Sequence, residues 1–261
     1  MRIRIFQVDA FADKLFAGNP AAICPLDHWP EDDLLQKIAM ENNLPETAFF
    51  VLHERPLHIR WFTPATEVEL CGHATLASAH VLNHHLEYRE NPIQFHSTSG
   101  PLQVIVEGEG MYTLDFPQDG LRKRNLDHPC VSLFGLKVLE LWRGNTDYLL
   151  LLESADAVNN AEPNLPELAK GDGRGYIITA PGNDVDYVSR CFYPQTGIDE
   201  DPATGSSHTT LAPFWAQRLG KKKFTARQLS ARGAYFETEW IADRVLITGK
   251  AVSYLEGVIE V

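Results

Sequence analysis

One glutamate stands in a sequence context that is typical of a general acid/base. Glu46 follows a proline and precedes the apolar run 47–52. Desolvation at such an edge can raise the pKa of a carboxyl group. A general acid/base that works near neutral pH needs a pKa raised in this way. A solvated turn glutamate is the alternative interpretation. Glu46 is therefore the first candidate for proton transfer.

A cysteine, a glycine and a histidine stand where a helical stretch begins. Backbone N–H groups at a helix start lack intrahelical acceptors, and the helix dipole is positive there. His73 could bond a substrate carboxylate through its ring or its N–H, although it could instead cap the helix or belong to the core. The helix start could lower the pKa of Cys71 and make this thiol reactive. Alternatively, Cys71 is simply a small apolar residue that ends a strand.

The pattern around these residues occurs twice. Residues 60–66 (RWFTPAT) return as residues 190–196 (RCFYPQT), 130 positions later. Each copy continues into a glycine that opens a helix-like stretch, Gly72 in the first and Gly205 in the second. A duplicated strand, glycine turn and helix start predicts two pseudo-equivalent halves that face one another.

The second copy contributes a serine and an aspartate. Ser206 occupies the place of His73, and the spacing grows from 130 to 133 through a small insertion within 198–203. Asp201 lies in that insertion, where it could complement the helix dipole or supply a second acid/base opposite Glu46. Two converging helix starts would form a cleft for a carboxylate or another small anion.

Patterns for metal or phosphate binding are incomplete. His80 and His84 are four residues apart on one predicted helix face and with Cys71 could suggest zinc, but the HExxH glutamate is missing. The glycine-rich stretch 171–175 lacks the lysine of a phosphate loop and precedes a strand. We therefore expect no metal.

Composition excludes several function classes. With 23 basic and 35 acidic residues the formal net charge is −12, which argues against nucleic acid as a partner. The 4 cysteines form no CxxC pair, so we expect reduced thiols. No apolar run approaches the ~20 residues that span a bilayer, and no signal-peptide pattern opens the sequence. We expect a cytoplasmic protein without a membrane partner.

Strand patterns outnumber helical ones. Helices are predicted at 31–41 and after both Gly72 and Gly205. Pro213 falls inside the last helix and would kink or break it, but the repeat requires that helix. The polar stretch 117–124 is the predicted crossing between the halves. The predicted strands are 2–11, 21–24, 47–52, 57–62, 102–107, 111–116, 148–153, 175–180, 234–240 and 244–249.

Four ordered motifs resemble the PhzF family of phenazine biosynthesis-like proteins, which have the diaminopimelate epimerase-like fold. The resemblance covers essentially the whole chain. It implies an α+β fold with two pseudo-symmetric halves, each a curved mixed β-sheet around a central helix and with the active site between them. It assigns 1–118 and a returning strand 250–261 to the first half and 119–249 to the second. The matching segments are 6–11 with 16–22, 45–49, 69–75 and 199–206.

The resemblance also implies a cofactor-free, metal-free isomerase, commonly a homodimer, that acts on a small carboxylate-bearing substrate. In that family the residue matching Glu46 shuttles a proton between substrate carbons. The residues matching His73 and Asp201 hold or polarise the substrate. The residues that it assigns to substrate binding are Gly72, Gly205, Ser206 and Asn19.

Two other functions remain open. Epimerases of this fold use one cysteine from each half; Cys71 matches the first, but Thr204 stands in place of the second. A hydroxyl group is too weak an acid to replace that thiol, so a cysteine-based epimerase would pair Cys71 with Glu46 or Asp201. The second open function is that of a metabolite-binding protein without catalysis. The sequence identifies neither the substrate nor the role of 121–175.

Overall fold

The computed structural model describes residues 1–261 and divides into two compact units. Unit 1 contains Met1–Asp115 and Thr248–Val261, and unit 2 contains Phe116–Ile247. No helix in either unit has the length and apolar character needed to cross a membrane.

The chain contains 17 strands and 6 α-helices, which confirms the predicted α+β class. The strands are β1 (Arg2–Ala10), β2 (Asn19–Leu26), β3 (Glu46–Val51), β4 (Leu57–Phe62), β5 (Glu67–Val68), β6 (Ile93–Ser97), β7 (Gly100–Gly108), β8 (Met111–Pro117), β9 (Arg122–Arg124), β10 (Glu140–Arg143), β11 (Asp147–Leu151), β12 (Gly175–Pro181), β13 (Tyr187–Tyr193), β14 (Ile198–Asp201), β15 (Lys223–Gln228), β16 (Ala234–Ile241) and β17 (Arg244–Glu260). The helices are α1 (Asp32–Asn42), α2 (Gly72–His80), α3 (Pro129–Ser132), α4 (Ala155–Asn159), α5 (Leu165–Leu168) and α6 (His208–Leu219), with a π-helical turn at Val81–His85 and 3₁₀ turns at Pro194–Thr196 and Gly205–Ser207.

Unit 1 is a mixed sheet that packs on α2. β1 pairs antiparallel with β2 on one edge and with residues 251–260 of β17 on the other. β2 runs parallel to β3, β3 antiparallel to β4, and β4 parallel to β6. β6, β7 and β8 then continue as antiparallel neighbours. The predicted antiparallel pairing of 47–52 with 57–62 is confirmed.

Unit 2 repeats this order of pairings. β10 is antiparallel to β11, β11 parallel to β12, and β12 antiparallel to β13. β13 then runs parallel to β15, which is antiparallel to β16. The series β10, β11, β12, β13, β15 and β16 therefore matches β1, β2, β3, β4, β6 and β7 in direction. The predicted duplication is present in the strand pairing itself.

The central helix of unit 1 is buried over nearly its whole length. It contacts β1, β2, β3 and β7, and its many alanines allow the backbone to approach the sheet closely. Two buried hydroxyls are satisfied inside the helix: Thr75 donates to the carbonyl of Cys71 at 2.6 Å and Ser78 to that of Ala74 at 2.7 Å. The hydroxyls of Thr75 and Ser78 are therefore buried without being left unpaired.

The central helix of unit 2 contains Pro213 and is continuous through it. Proline has no N–H, so the carbonyl of Thr209 loses its helical partner. The backbone N–H of Asp119 donates to that carbonyl at 3.0 Å, which leaves it satisfied. The helix that the repeat required is thus confirmed, but it starts at His208 because Gly205–Ser207 form a 3₁₀ turn.

Each unit has a hydrophobic core of its own. In unit 1, α1 packs on β3 and β4 through Leu35 and Ile38, which lie with Phe49 and Phe62. In unit 2, the short helices α3, α4 and α5 cover the face of β10–β13. These three helices were not predicted, since they span only four or five residues and are too short to show helical periodicity.

Each unit also buries a histidine with a depressed pKa. Burial, together with the neighbouring His84 and His85, lowers the pKa of His80 to about 4. Burial lowers the pKa of His208 to about 3. Both rings contact a tyrosine hydroxyl instead of an acid, so no carboxylate compensates a charge on them.

We expect the free energy of unfolding to fall as the pH drops below about 6.5. An unfolded histidine binds its proton near pH 6.5, whereas folded His80 binds it near pH 4. The unfolded state therefore holds more protons between these values, and stability present above pH 6.5 is lost towards pH 4. The shift at His80 corresponds to about 3 kcal/mol.

Urea unfolding of the wild type and of His80→Asn at pH 7, 5.5 and 4.5 measures this loss. The variant should lose less stability on acidification, with the remaining slope due in part to His208. His53→Asn, at an exposed position, should leave the slope unchanged. A His80→Asn protein with the full wild-type slope would show that His80 is not responsible.

Candidate active site

Three elements of unit 1 bring five predicted site residues together. β2 begins at Asn19 and the adjacent parallel strand β3 at Glu46, so both side chains lie at the same end of the sheet. α2 begins there as well: Cys71 is its N-cap residue, Gly72 its first residue and His73 its second. The strand starts and the helix start thus surround one point.

The imidazole of His73 lies between a carboxylate, a thiol and an amide. Its Nε2 is 3.1 Å from Oε2 of Glu46. Its Nδ1 is 3.5 Å from Sγ of Cys71 and 3.3 Å from Nδ2 of Asn19. The side chains of His73 and Glu46 are only 7% and 12% exposed. The ring therefore links the acid/base candidate to the cysteine in a largely buried setting.

The contact between His73 and Glu46 has the distance of an ion pair without the alignment of a hydrogen bond. Nε2 of His73 and Oε2 of Glu46 are both buried and have no hydrogen-bond partner. Leaving buried polar atoms unpaired is costly, so their occurrence in a native protein requires an explanation. A polar group of a ligand that contacts both atoms from one side of the pair would satisfy them.

The pKa values of His73 and Cys71 are both raised at this site. Burial alone would lower the pKa of His73, but Cys71 and Glu46 raise it well above its ordinary value. Burial and the Glu46 carboxylate raise the pKa of Cys71, so Glu46 is the charged partner of the imidazolium. Of the two interpretations of Cys71, the lowered pKa is therefore not favoured, because burial and Glu46 raise the pKa of this thiol.

Glu46, Cys71 and His73 also offer three ligand types within 4.8 Å of one another, as metal sites do. Their contacts, however, use opposite nitrogens of the ring, Nε2 for Glu46 and Nδ1 for Cys71. A cation coordinated by one ring nitrogen would sit on one side of His73, away from the partner on the other. The arrangement suits proton transfer along the imidazole better than chelation.

In unit 2 the predicted residues lie around the start of α6. Asp201 ends β14, and its Oδ2 accepts the hydroxyl of Thr204 at 2.5 Å. Gln228 on β15 donates to the carbonyl of Asp201 at 2.5 Å and accepts the N–H of Thr204 at 2.8 Å. Gly205 and Ser206 follow in the 3₁₀ turn. Gln228, which no sequence motif indicated, therefore fixes the turn that carries them.

His80, His84 and Cys71 do not come together as the zinc ligands that their spacing could suggest. The rings of His80 and His84 stack with centroids 5.2 Å apart, so the predicted shared face is confirmed. Nε2 of His80 contacts the hydroxyl of Ser253 at 2.8 Å. Cys71, the third proposed ligand, contacts His73 instead.

Comparisons with known proteins agree with this arrangement of elements. The PhzC-PhzF family model, described as phenazine biosynthesis-like protein, matches residues 8–257. An uncharacterized isomerase of Pseudomonas aeruginosa is 44% identical over 257 residues, covering 98% of each chain. An uncharacterized isomerase of Halalkalibacterium halodurans is 41% identical over 260 residues, covering 98% of this chain and 97% of the relative.

A solved structure extends the agreement to three dimensions. The crystal structure of a PhzF-family phenazine biosynthesis protein from Enterococcus faecalis superimposes with a TM-score of 0.96 at 40% identity, covering 100% of both chains. The predicted fold class is thereby confirmed, and the names of the relatives support an isomerase-type enzyme. The chain belongs to the PhzC-PhzF family of phenazine biosynthesis-like proteins.

Proposed function

We propose that this protein is a cofactor-independent isomerase that moves a proton on a small carboxylate-bearing substrate, with Glu46 as the acid/base. The observation that carries the proposal is the buried pair of Glu46 and His73, whose facing atoms are 3.1 Å apart and lack hydrogen-bond partners. A carboxylate held in this way can take a proton from one carbon and return it to another.

His73 contributes its charge to this step. A carbon acid that loses a proton becomes negatively charged, and a fixed positive charge nearby stabilises that state. The raised pKa of His73 keeps its imidazole protonated at neutral pH. His73 therefore assists Glu46 by stabilising the charge that develops on the substrate.

The start of α2 is proposed to hold the substrate carboxylate. Gly72 is the first residue of this nine-residue helix, so its backbone N–H has no acceptor within the helix. Helix starts bind carboxylates through such groups and through the dipole. Asn19, in contact with the ring of His73, is proposed to bind substrate beside it.

Three residues of unit 2 are proposed to assist, as the family resemblance implies. Asp201 would help in proton transfer, and Gly205 and Ser206 would bind the substrate. The support within unit 2 is the network in which Thr204 and Gln228 hold Asp201 and the following turn. A cysteine-based epimerase is not proposed, because burial keeps the only matching thiol protonated.

Solvent deuterium incorporation tests the proposal. Small cyclic and amino carboxylates are incubated with the protein in D₂O and followed by mass spectrometry, while calorimetry identifies those that bind. We expect at least one bound carboxylate to gain deuterium at carbon in a protein-dependent manner. Binding without any incorporation across the panel would instead indicate a metabolite-binding protein.

A further inference from the structure

Unit 2 contains a cavity of about 460 Å³ that the proposed isomerase chemistry does not use. Residues in and around α3 and α5, the loop before β12 and Tyr176 on β12 form it, so nearly all of its lining belongs to the stretch 121–175 that carries no recognisable motif. Its lining combines the apolar side chains of Pro129 and Leu133 with the polar side chains of His128 and Asp172. A cavity of this size admits a small molecule.

Three side chains that line the cavity, those of Cys130, His128 and Asp172, form a hydrogen-bonded series with the adjacent Tyr148. Sγ of Cys130 is 3.1 Å from Nδ1 of His128. Nε2 of His128 is 3.0 Å from the hydroxyl of Tyr148. That hydroxyl is 3.0 and 3.1 Å from the two carboxylate oxygens of Asp172. A thiol, an imidazole, a phenol and a carboxylate thus follow one another without a gap.

The protons of this series have one consistent arrangement. The Tyr148 hydroxyl donates to Asp172, because an ionised carboxylate only accepts. The phenol oxygen then accepts Nε2–H of His128, which leaves Nδ1 without a proton. Nδ1 also accepts the backbone N–H of Cys130 at 3.3 Å, in agreement with this tautomer. The ring nitrogen that faces the thiol is therefore a base.

Three buried cysteines allow the effect of this base to be separated from burial. Burial, together with the nearby Asp172 carboxylate, raises the pKa of Cys130 to about 12. Burial likewise raises the pKa of Cys191 to about 12 and that of Cys24 still further. Neither of these thiols contacts an imidazole. A protonated thiol becomes nucleophilic when a base removes its proton during attack, and only Cys130 of these three has one.

We propose that Cys130 is a site of thiol–disulfide exchange with a small disulfide that enters this cavity. Nδ1 of His128 takes the thiol proton as Sγ attacks one sulfur of the disulfide. A new S–S bond forms at Cys130, the S–S bond of the small molecule breaks, and the leaving thiolate receives the proton from His128. One thiol and one disulfide enter and leave, so no other oxidant is required. Tyr148 and Asp172 stabilise the transient imidazolium.

The exchange is measured on the full-length protein with bis(2-hydroxyethyl) disulfide at pH 7.5, by peptide mass spectrometry of each cysteine over time. We expect Cys130 to be modified about tenfold or more faster than Cys24 and Cys191, which serve as internal controls for burial. Cys71, which contacts His73, is mapped separately and is not a control. Equal rates at Cys130 and the two controls would overturn the proposal.

Two variants test the base. His128→Asn retains a helix-capping side chain but no base, and should slow modification of Cys130 about tenfold or more. Tyr148→Phe should slow it less, since the base remains. Local unfolding around Cys130 would expose the thiol and speed its modification. Slower modification in His128→Asn therefore cannot result from a folding defect. An unchanged or faster rate in His128→Asn would contradict the proposal.

The pH profile supplies an independent readout. Exchange through free thiolate becomes about tenfold faster per pH unit below the thiol pKa. Exchange through His128 should be nearly independent of pH between 7.5 and 8.5, because the thiol stays protonated over this range and loses its proton to His128 only during the attack. A tenfold rise over this range in the wild type would show that His128 plays no part.

Discussion

Glu46→Gln should lose nearly all proton exchange between substrate and solvent while still binding the substrate. Glutamine preserves the size of the side chain and an oxygen facing His73, but it cannot accept or return a proton. General acid–base catalysis contributes about 10² to 10⁴ in rate, so we expect a fall of about a thousandfold. The rate of deuterium incorporation into the substrate identified in the carboxylate panel is the measurement.

Glu41→Gln is the matched control. It makes the same chemical change at an exposed position of α1 and should retain full activity. Substrate affinity, measured separately by calorimetry, should change little in Glu46→Gln. Full turnover in that variant would remove Glu46 from the chemistry, whereas lost affinity at unchanged turnover would assign it to binding alone.

The sequence predicted much of the fold because the same local pattern is written twice. The duplicated segments at 60–66 and 190–196 both begin in the last residues of a strand, β4 or β13, that precedes a central helix. That repetition outweighed the local evidence at Pro213. The compensating N–H of Asp119 comes from a segment 90 residues earlier than the carbonyl it satisfies, and no local pattern reveals it.

The candidate site was predictable in its residues and less so in its electrostatics. Glu46, Cys71 and His73 stand out at a strand edge and a helix start, and the structure brings them together. The thiol pKa depends on the balance between dipole and burial, which the sequence does not contain. Gln228 and the series from Cys130 to Asp172 depend on contacts that only the folded chain creates.

A close backbone approach at Gly18 constrains the position of Asn19 in the candidate site. Gly18 directly precedes Asn19, and its φ of 63° is in the left-handed region. A Cβ at this position would lie 2.1 Å from the carbonyl oxygen of Ala10 and 2.9 Å from Cβ of Ala12. Ala10 pairs with Asn19 on one side and with Ala251 on the other, so its carbonyl cannot withdraw without disturbing β1.

Gly18→Ala should therefore be among the most damaging single substitutions in unit 1. Gly220→Ala isolates the conformational part of the effect, since Gly220 has φ 64° and nothing within 4 Å of its added Cβ. A left-handed alanine costs about 1 to 2 kcal/mol. We expect that loss for Gly220→Ala and at least about 3 kcal/mol more for Gly18→Ala, whose overlap is with backbone.

Urea unfolding of both variants gives the two losses in free energy of unfolding. Because both variants carry the cost of a left-handed alanine, the difference between the losses measures the cost of the steric overlap at Gly18. Because Asn19 lies 3.3 Å from Nδ1 of His73, any Gly18→Ala protein that folds should also have a displaced Asn19 and weaker substrate binding. Equal losses in the two variants would mean that the end of β1 yields at no cost. Asn19 would then be held by its own contacts, and the tight approach at Gly18 would have no part in shaping the site.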